Sequence, residues 1–284
     1  MILALALLLS PVQDKATIGW KFAKGDTLRY ELTQTDTSSV AGRDMSRETT
    51  MGMAMVVSDV DDKGVATIKV TYDRMKFSMT GAMESDYDSE RDKEEPEDGF
   101  GKLFAAMVGQ SFTFKMNARG DVVAVEGYRK MMDAVFDKIG EDALPFPGMQ
   151  DMFTDDFAKK MMGQSFPKLP AKPVAKDESW EGKDELEMPM MGKVALKVKS
   201  TLKELREKEA VFAQDSTIEK AEGDDSSGAV VEVTDCKTKA TITWNTDAGR
   251  LVSSTWTTSL TASANGQEFT SETKGELKLA PKKK

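Results

Sequence analysis

The sequence has no histidine at all. That absence removes the commonest general base, the commonest metal ligand and every triad that needs an imidazole. Cysteine is almost as scarce. Cys236 stands alone in the chain, so it can form no internal disulfide and cannot build a zinc site by itself. A single thiol is compatible with an oxidising compartment. No long apolar run exists either: Ile2 to Leu9 gives way to Ser10-Pro11, far too short a stretch to cross a bilayer. Basic charge is in deficit, with 39 Lys and Arg against 48 Asp and Glu and a formal net charge of -9. Such a surface repels phosphate backbones and argues against nucleic acid as a partner. The sequence contains no Gly-x-Ser-x-Gly elbow and no glycine-rich loop leading into a helix, so neither an α/β-hydrolase nucleophile nor a phosphate cradle is indicated.

What is present begins with size. The chain of 284 residues makes one large domain or two at about 150 residues each, enough to bury a core without staples. The run Ile2–Leu9 looks like the apolar region of a secretory signal that lacks its basic n-region; the alternative is a buried first strand or helix. The expected organisation is a truncated signal-like segment over 1–13, a first β half with a helical block over 14–170, and a second β half over 171–284, continuous with the first. The expected location is secreted or periplasmic.

Period-two alternation dominates. Leu28, Tyr30 and Leu32 share one face, and Met51, Met53, Met55 and Val57 another. Ile68, Val70 and Tyr72 follow a turn at Asp61-Asp62-Lys63-Gly64. Phe112, Phe114 and Met116 precede a turn ending at Gly120. Val194, Leu196 and Val198, then Ala240, Ile242 and Trp244, repeat the style. Asp247-Ala248-Gly249 turns the chain into Val252–Leu260, and Asn265-Gly266 is a strong hairpin signal. Dense threonine fits strands with one wet face. Three segments switch to helical spacing: Phe100 to Val108, Tyr128 to Ile139, and Met149 to Met161, with glycine stops at Gly109, Gly140 and Gly163. Asp155 and Asp156 open the third, as the helix dipole favours. Residues 84–98, with nine acids against Arg91 and Lys93, read as a solvated loop. Pro167, Pro170 and Pro173 mark a joint.

The two halves echo each other. Gly25-Asp26 and its strand have a partner in Lys176 to Trp180. The turn at 62–64 has a partner at Glu207-Lys208-Glu209. The hairpin Phe112–Val125 has a partner in Ala240–Ser253. The expected fold is therefore mainly β: about eleven antiparallel strands in two pseudo-repeated halves, as one curved sheet or two packed ones, with a Met/Phe-rich helical block on one face.

Four features resemble an uncharacterised family of exported bacterial β-rich proteins. They are the Gly25-Asp26 pair after Trp20 and Phe22, the segment Gly109–Gly127 that follows a helix, the Pro-rich joint before Lys176–Trp180, and the late strand pair turning at Gly249. More remotely, a curved sheet with helices on one face is similar to the bacterial lipoprotein-carrier superfamily, whose members hold acyl chains between a half-open barrel and a helical lid. The resemblance implies an envelope location and a lipophilic ligand, and carries over no catalytic residue.

Methionine is over-represented, with 19 Met against 13 Phe, and admits three readings. Met can fill irregular core gaps, line an adaptable lipophilic cavity, or bind Cu(I) through thioethers, for which Met75, Met79, Met83 and the cluster Met188–Met191 are the candidates. Cys236 reads as a half-buried thiol at a strand start, and Trp180, Trp244 and Trp256 as packing anchors. Paired carboxylates are too many to single out an acid/base pair. The leading expectation is a non-enzymatic envelope protein without a cofactor. It would bind or carry a lipophilic ligand in a groove lined by Phe104, Met107, Met131, Phe136, Met152 and Phe157. The alternatives are a structural or interaction domain with a solid core, and a Met-based Cu(I) binder.

Overall fold

The computed structural model describes residues 15–40, 42–81, 84–140, 153–188, 192–222, 231–264 and 267–281. Its elements are β1 (Lys15–Ala16), β2 (Thr27–Val40), β3 (Arg43–Val60), β4 (Ala66–Thr80), β5 (Ser85–Asp88), α1 (Gly99–Met107), β6 (Ser111–Met116), β7 (Val122–Glu126), α2 (Tyr128–Ile139), α3 (Asp155–Ser165), β8 (Val174–Ala175), β9 (Ser179–Met188), β10 (Gly192–Leu205), β11 (Glu209–Glu222), β12 (Val231–Asn245), β13 (Arg250–Ala264) and β14 (Gln267–Leu279). Twelve strands form one antiparallel sheet in the order β7-β6-β4-β3-β2-β14-β13-β12-β11-β10-β9, with β5 added on β4; β1 and β8 pair separately. The mainly β fold expected from alternation is therefore present, as a single sheet. The extra strands are the two-residue β1 and β8 and the four-residue β5, too short to show a period.

The sheet is open between β7 and β9, yet α3 packs against both of these edges. The sheet therefore curls, and one face becomes an interior. The N-terminal segment ties the base of this interior together: Trp20 N–H donates to Ala118 O (2.7 Å) and Lys21 N–H to Gly249 O (2.9 Å). Those carbonyls belong to the β6–β7 and β12–β13 turns. Trp20 meets Trp244 edge-on at 4.8 Å and Phe166 edge-on at 5.9 Å. The indole N–H groups of Trp20 and Trp244 have no acceptor among the described residues, so ring packing and apolar burial hold this contact.

The pseudo-repeat is explicit in the hydrogen bonds. Gly25 and Asp177 both have positive φ, at 89° and 66°. The next residue in each case places a carboxylate on the N–H three residues back: Asp26 on Ala23 (3.0 Å) and Glu178 on Ala175 (2.9 Å). Gly25 N–H donates to Val57 O as Asp177 N–H donates to Leu202 O, and Val57 and Leu202 donate back to Asp26 O and Glu178 O. Bulges follow at Val57/Asp59 and at Leu202/Glu204, then again at Lys115/Met116 and at Thr243/Trp244. Hence β2, β3, β4, β6 and β7 correspond to β9, β10, β11, β12 and β13.

Inward positions run apolar from the base, where Phe114, Phe212, Trp244 and Ile68 are buried. A polar row then crosses the interior: Ser216, Thr238, Thr258, Thr273, Asp36 and Arg47 stand opposite one another on successive strands from β11 to β3. Thr238 and Thr258 share a 2.9 Å hydrogen bond, and Asp36 accepts from Thr273 at 2.5 Å and Arg47 at 2.8 Å. Beyond this row lies a second, smaller apolar cluster of Val194, Leu196, Val233, Cys236 and Ala262.

Four details depart from the sequence reading. Residues 84–98 are no simple solvated loop, because β5 pairs with β4 and buries Ser85 and Tyr87; an isolated aromatic among acids gave no visible period. The third helix, among the described residues, starts after Thr154, whose hydroxyl accepts from Phe157 N–H at 3.0 Å. Gly163 does not stop it: it lacks the positive φ of a glycine stop, the helix runs on to Ser165, and Lys168 Nζ donates to the Gly163 carbonyl in the last turn at 2.9 Å. Cys236 lies within β12 and is buried, with 5% exposure.

Candidate functional site

The helices fill the lower interior. Met131, Met132, Val135 and Phe136 of α2 are each at most 4% exposed and belong to one apolar cluster with sheet residues such as Phe112, Phe114 and Phe212. Phe104 of α1 stacks on Phe77 of β4 at 4.5 Å. Asp155 fixes α3 to α2, accepting from Gly127 N–H (3.1 Å) and Arg129 N–H (2.8 Å). These N–H groups lie at the start of α2, where no carbonyl of a preceding turn is in reach, and the N-cap Gly127 has no side chain to cap them.

A cavity of about 380 Å³ opens where α2 leaves the sheet, beside β4, β6 and β7. Its origin is local. Gly127 takes φ 80° and turns the chain out of β7 into α2. The last β6–β7 pair is Thr113 with Glu126, so Ser111 and Gln110 have no partner on the β7 side and a notch remains. Phe112 and Met131 are among its lining residues but are only 5% and 4% exposed, because the main core holds most of their surface. Lys69, Thr113 and Glu126 form one cross-strand row at its edge, and Lys130 faces it from α2. Glu126 is already paired with Lys115 at 2.8 Å. Lys69 and Lys130 are exposed and have no ion-pair partner among the described residues. Phe112 meets Tyr128 edge-on at 5.3 Å and Tyr72 at 6.3 Å. Burial pushes the Tyr72 phenol up to about 12. It also raises that of Tyr128, with Tyr72 adding to the effect. Both rings stay neutral at physiological pH.

A second concavity of about 510 Å³ lies at the opposite end of the long strands. It is lined mainly by hydroxyls, including Ser38, Ser39, Thr80 and Ser271, with Asp44, Glu272, Met45 and Leu260. Met45, Leu260 and the methyl groups of its threonines make its wall more apolar than polar.

The six residues expected to line one groove are spread over the helical block. Met131 lines the α2 cavity. Phe136 contacts Phe153 at 5.4 Å, and Phe153 contacts Phe157 at 5.9 Å, so these meet between α2 and α3. Phe104 and Met107 sit on α1, Phe104 against β4 and Met107 against the main cluster. Met152 lies outside the described residues, as do Met83, Met149, Met190 and Met191. Met55, Met75, Met79, Met116, Met131 and Met132 are all buried among apolar neighbours or strand partners, which is what a gap-filling role requires. Trp180 packs on Phe212 at 5.3 Å, and Trp256 lies over Gly275, where a Cβ would approach its ring to 2.1 Å. Burial, with the Asp235 charge second, pushes the Cys236 thiol up, so it is held as a neutral thiol rather than a thiolate. In the acidic stretch, Arg91 bridges Asp86 and Asp92, each at 2.6 Å; hydrogen bonds from Arg91 and from the Asp88 backbone hold the Asp92 carboxyl down at about 2. Lys69 and Lys130 were not singled out in the sequence. Each alternates outward like any surface lysine, and only sheet register with the α2 exit brings them to one rim.

Fold and hydrogen-bond pattern define a duplicated half-barrel whose open seam is bridged by a helix. The chain belongs to DUF6263, a family of unknown function whose profile matches residues 63–250, well over half the chain. No curated protein sequence matches it. Among solved structures, lipovitellin, in a study of its lipid-protein interactions, is 11% identical with a TM-score of 0.46. The alignment covers 92% of this chain but 26% of the lipovitellin chain. An outer membrane channel from Pseudomonas putida F1 is 10% identical over 92% of this chain and 97% of its own, with a TM-score of 0.26. Pseudomonas aeruginosa OpdQ is 7% identical over 91% and 100%, with a TM-score of 0.25. These likenesses are remote and carry no argument about function. No helix among the described residues is long and apolar enough to cross a membrane.

Proposed function

We propose that this protein is a non-catalytic, exported binding module that takes a lipophilic molecule at the junction of the helical block and the sheet. The observation that supports this reading is the cavity of about 380 Å³ beside α2, with Phe112 and Met131 among its lining residues. That volume is at the small end of the range of about 300–1,000 Å³ typical of ligand sites. Binding would draw on apolar burial at about 25 cal/mol per Å². Met131 suits the task because an unbranched thioether adapts to chains of different shape. Helix movement would widen the site, since Lys130, Met131 and Ala134 of α2 form one of its walls. The test is native mass spectrometry of protein purified without detergent from an exporting host, followed by denaturing extraction. A retained mass that extracts as lipid is the expected result. A bare chain mass that stays unchanged after incubation with lipids overturns the reading.

One observation favours a second reading, a structural or interaction domain with no ligand. The apolar stripe of α2 is already consumed by the main core, so the lower interior has a solid centre. The two readings part at Met131: charge placed there abolishes lipid retention in the first and only lowers stability in the second.

A further inference from the structure

We infer that the interior face of the sheet carries a further binding site, separate from the α2 cavity, in which Trp256 is the stacking platform for a neutral carbohydrate. The four tryptophans differ in their surroundings. Trp20 and Trp244 are buried in the main apolar cluster, and Trp180 packs against it and donates its indole N–H to Lys168 O at 2.7 Å. Trp256 is half-buried, belongs to neither apolar cluster and meets no other aromatic ring among the described residues. Its indole N–H has no acceptor among them and, unlike those of Trp20 and Trp244, is not sealed from solvent. Leu32 and Met51, which face each other across β2 and β3, are likewise half-buried and outside both clusters. The helices pack on β4, β5, β6, β7 and β9, whereas Trp256 stands on β13 between β12 and β14. Its ring is spread over Gly275 of β14, where a Cβ would come within 2.1 Å; the missing side chain lets the indole lie across the neighbouring strand.

Polar groups are gathered beside this ring. Gln34 stands opposite Gly275, and Thr258, Thr273, Asp36 and Arg47 form the next row on the same face. Same-face positions lie about 7 Å apart along a strand and neighbouring strands about 4.8 Å apart, so ring and polar row are within reach of one small molecule. Asp36 holds the row in place, accepting from Gln34 Nε2 at 3.0 Å, Thr273 Oγ1 at 2.5 Å and Arg47 Nη2 at 2.8 Å. That leaves the Gln34 carbonyl as an acceptor and Arg47 Nη1 as a donor, on a side chain 51% exposed. The class of ligand follows from this set. Arg47 is neutralised by Asp36, so no net charge awaits an ionic head. Donor and acceptor stand side by side, which suits hydroxyls, since each hydroxyl both gives and accepts. A pyranose carries hydroxyls round its edge and C–H groups on its face, and that face complements the negative π-face of an indole. A hydrocarbon would leave the polar groups unpaired, and a carboxylate would meet Asp36.

The experiment titrates the full chain with maltotriose, cellotriose and tri-N-acetylchitotriose, and with trigalacturonate as the anionic counterpart, by isothermal calorimetry. At least one neutral trisaccharide is expected to bind wild type, with an affinity that salt leaves unchanged. Trp256→Ala should weaken that binding at least about tenfold, as for a tryptophan at the centre of a binding surface. Trp256→Tyr keeps an aromatic face and should lose less. Gln34→Ala removes one hydrogen-bonding group and should cost about three- to tenfold. The unfolding midpoint of each variant is measured alongside, and Gln34→Ala tests the site even where Trp256→Ala does not fold. No binding of any neutral trisaccharide to wild type overturns the site. Binding that keeps its wild-type strength in folded Gln34→Ala and Trp256→Ala overturns it too, because the sugar then sits elsewhere. Tighter binding of trigalacturonate than of the neutral sugars overturns the class of ligand. Lipid retention at the α2 cavity does not involve Trp256, so that reading and this one fail separately.

Discussion

The two seams of the sheet are the most instructive comparison in the molecule. Because β2 corresponds to β9 and β13 to β7, the sheet offers two equivalent gaps. One, between β13 and β2, is filled by β14, which hydrogen-bonds to both neighbours along its length. The other, between β7 and β9, is filled by α3, which touches both edges through side chains. A strand satisfies backbone groups on two flanking edges, so removing it orphans donors and acceptors on both neighbouring strands at once. A helix satisfies its own backbone and can leave without that penalty. The same position in a repeated fold is thus welded on one side and latched on the other.

The largest expected effect breaks this comparison outright. Ending the chain after Ala264 removes β14 and should abolish cooperative unfolding, read by circular dichroism against denaturant. Ala158→Arg in α3 should instead cost about 1–3 kcal/mol through overpacking. In that variant, hydrogen exchange should speed up at β7 and β9 while β2 and β13 keep their protection. A sharper probe of the welded seam is Gly275→Ala, whose Cβ meets the Trp256 ring at 2.1 Å. It should cost about 1–3 kcal/mol, and adding Trp256→Ala should recover part of that loss in a double-mutant cycle. On the latched side, Asp155→Ala removes the acceptor for Gly127 and Arg129 N–H groups. A loss of about 1 kcal/mol is expected, as for a helix cap, with faster exchange at the start of α2.

The smallest effect concerns pH. Asp36 is partly buried beside the welded seam. Burial would raise its carboxyl, but hydrogen bonds from Thr273, Arg47 and Gln34 outweigh burial and lower it. A depressed folded value means that its stabilisation is present above the ordinary carboxylate range and lost as pH falls through the folded value. Asp36→Asn should therefore lower the unfolding midpoint at neutral pH and flatten its fall on acidification. A variant with an unaltered acid limb would show that the polar row is solvated rather than structural.

Much of this architecture was legible before any coordinates. Alternation at Leu28–Leu32 and Phe112–Met116 located strands and their inward faces, because a half-buried strand must repeat every two residues. The echo between Gly25-Asp26 and Lys176–Trp180 located the repeat. The stop at Gly140 marked a helix end. Strand β5 was not legible, since Tyr87 among acids has no period, nor was the run of α3 past Gly163, where a lysine five residues on serves the carbonyl.

The sequence by itself determined the class of fold, the inward faces and the duplication, since these depend on local period and on turn chemistry a few residues long. Only the tertiary structure decided that the halves share one sheet, that β14 and α3 occupy equivalent seams, and that Lys69 and Lys130 flank one cavity. Those facts depend on register between distant strands and on where a helix leaves the sheet, and such contacts leave no periodic mark on the chain.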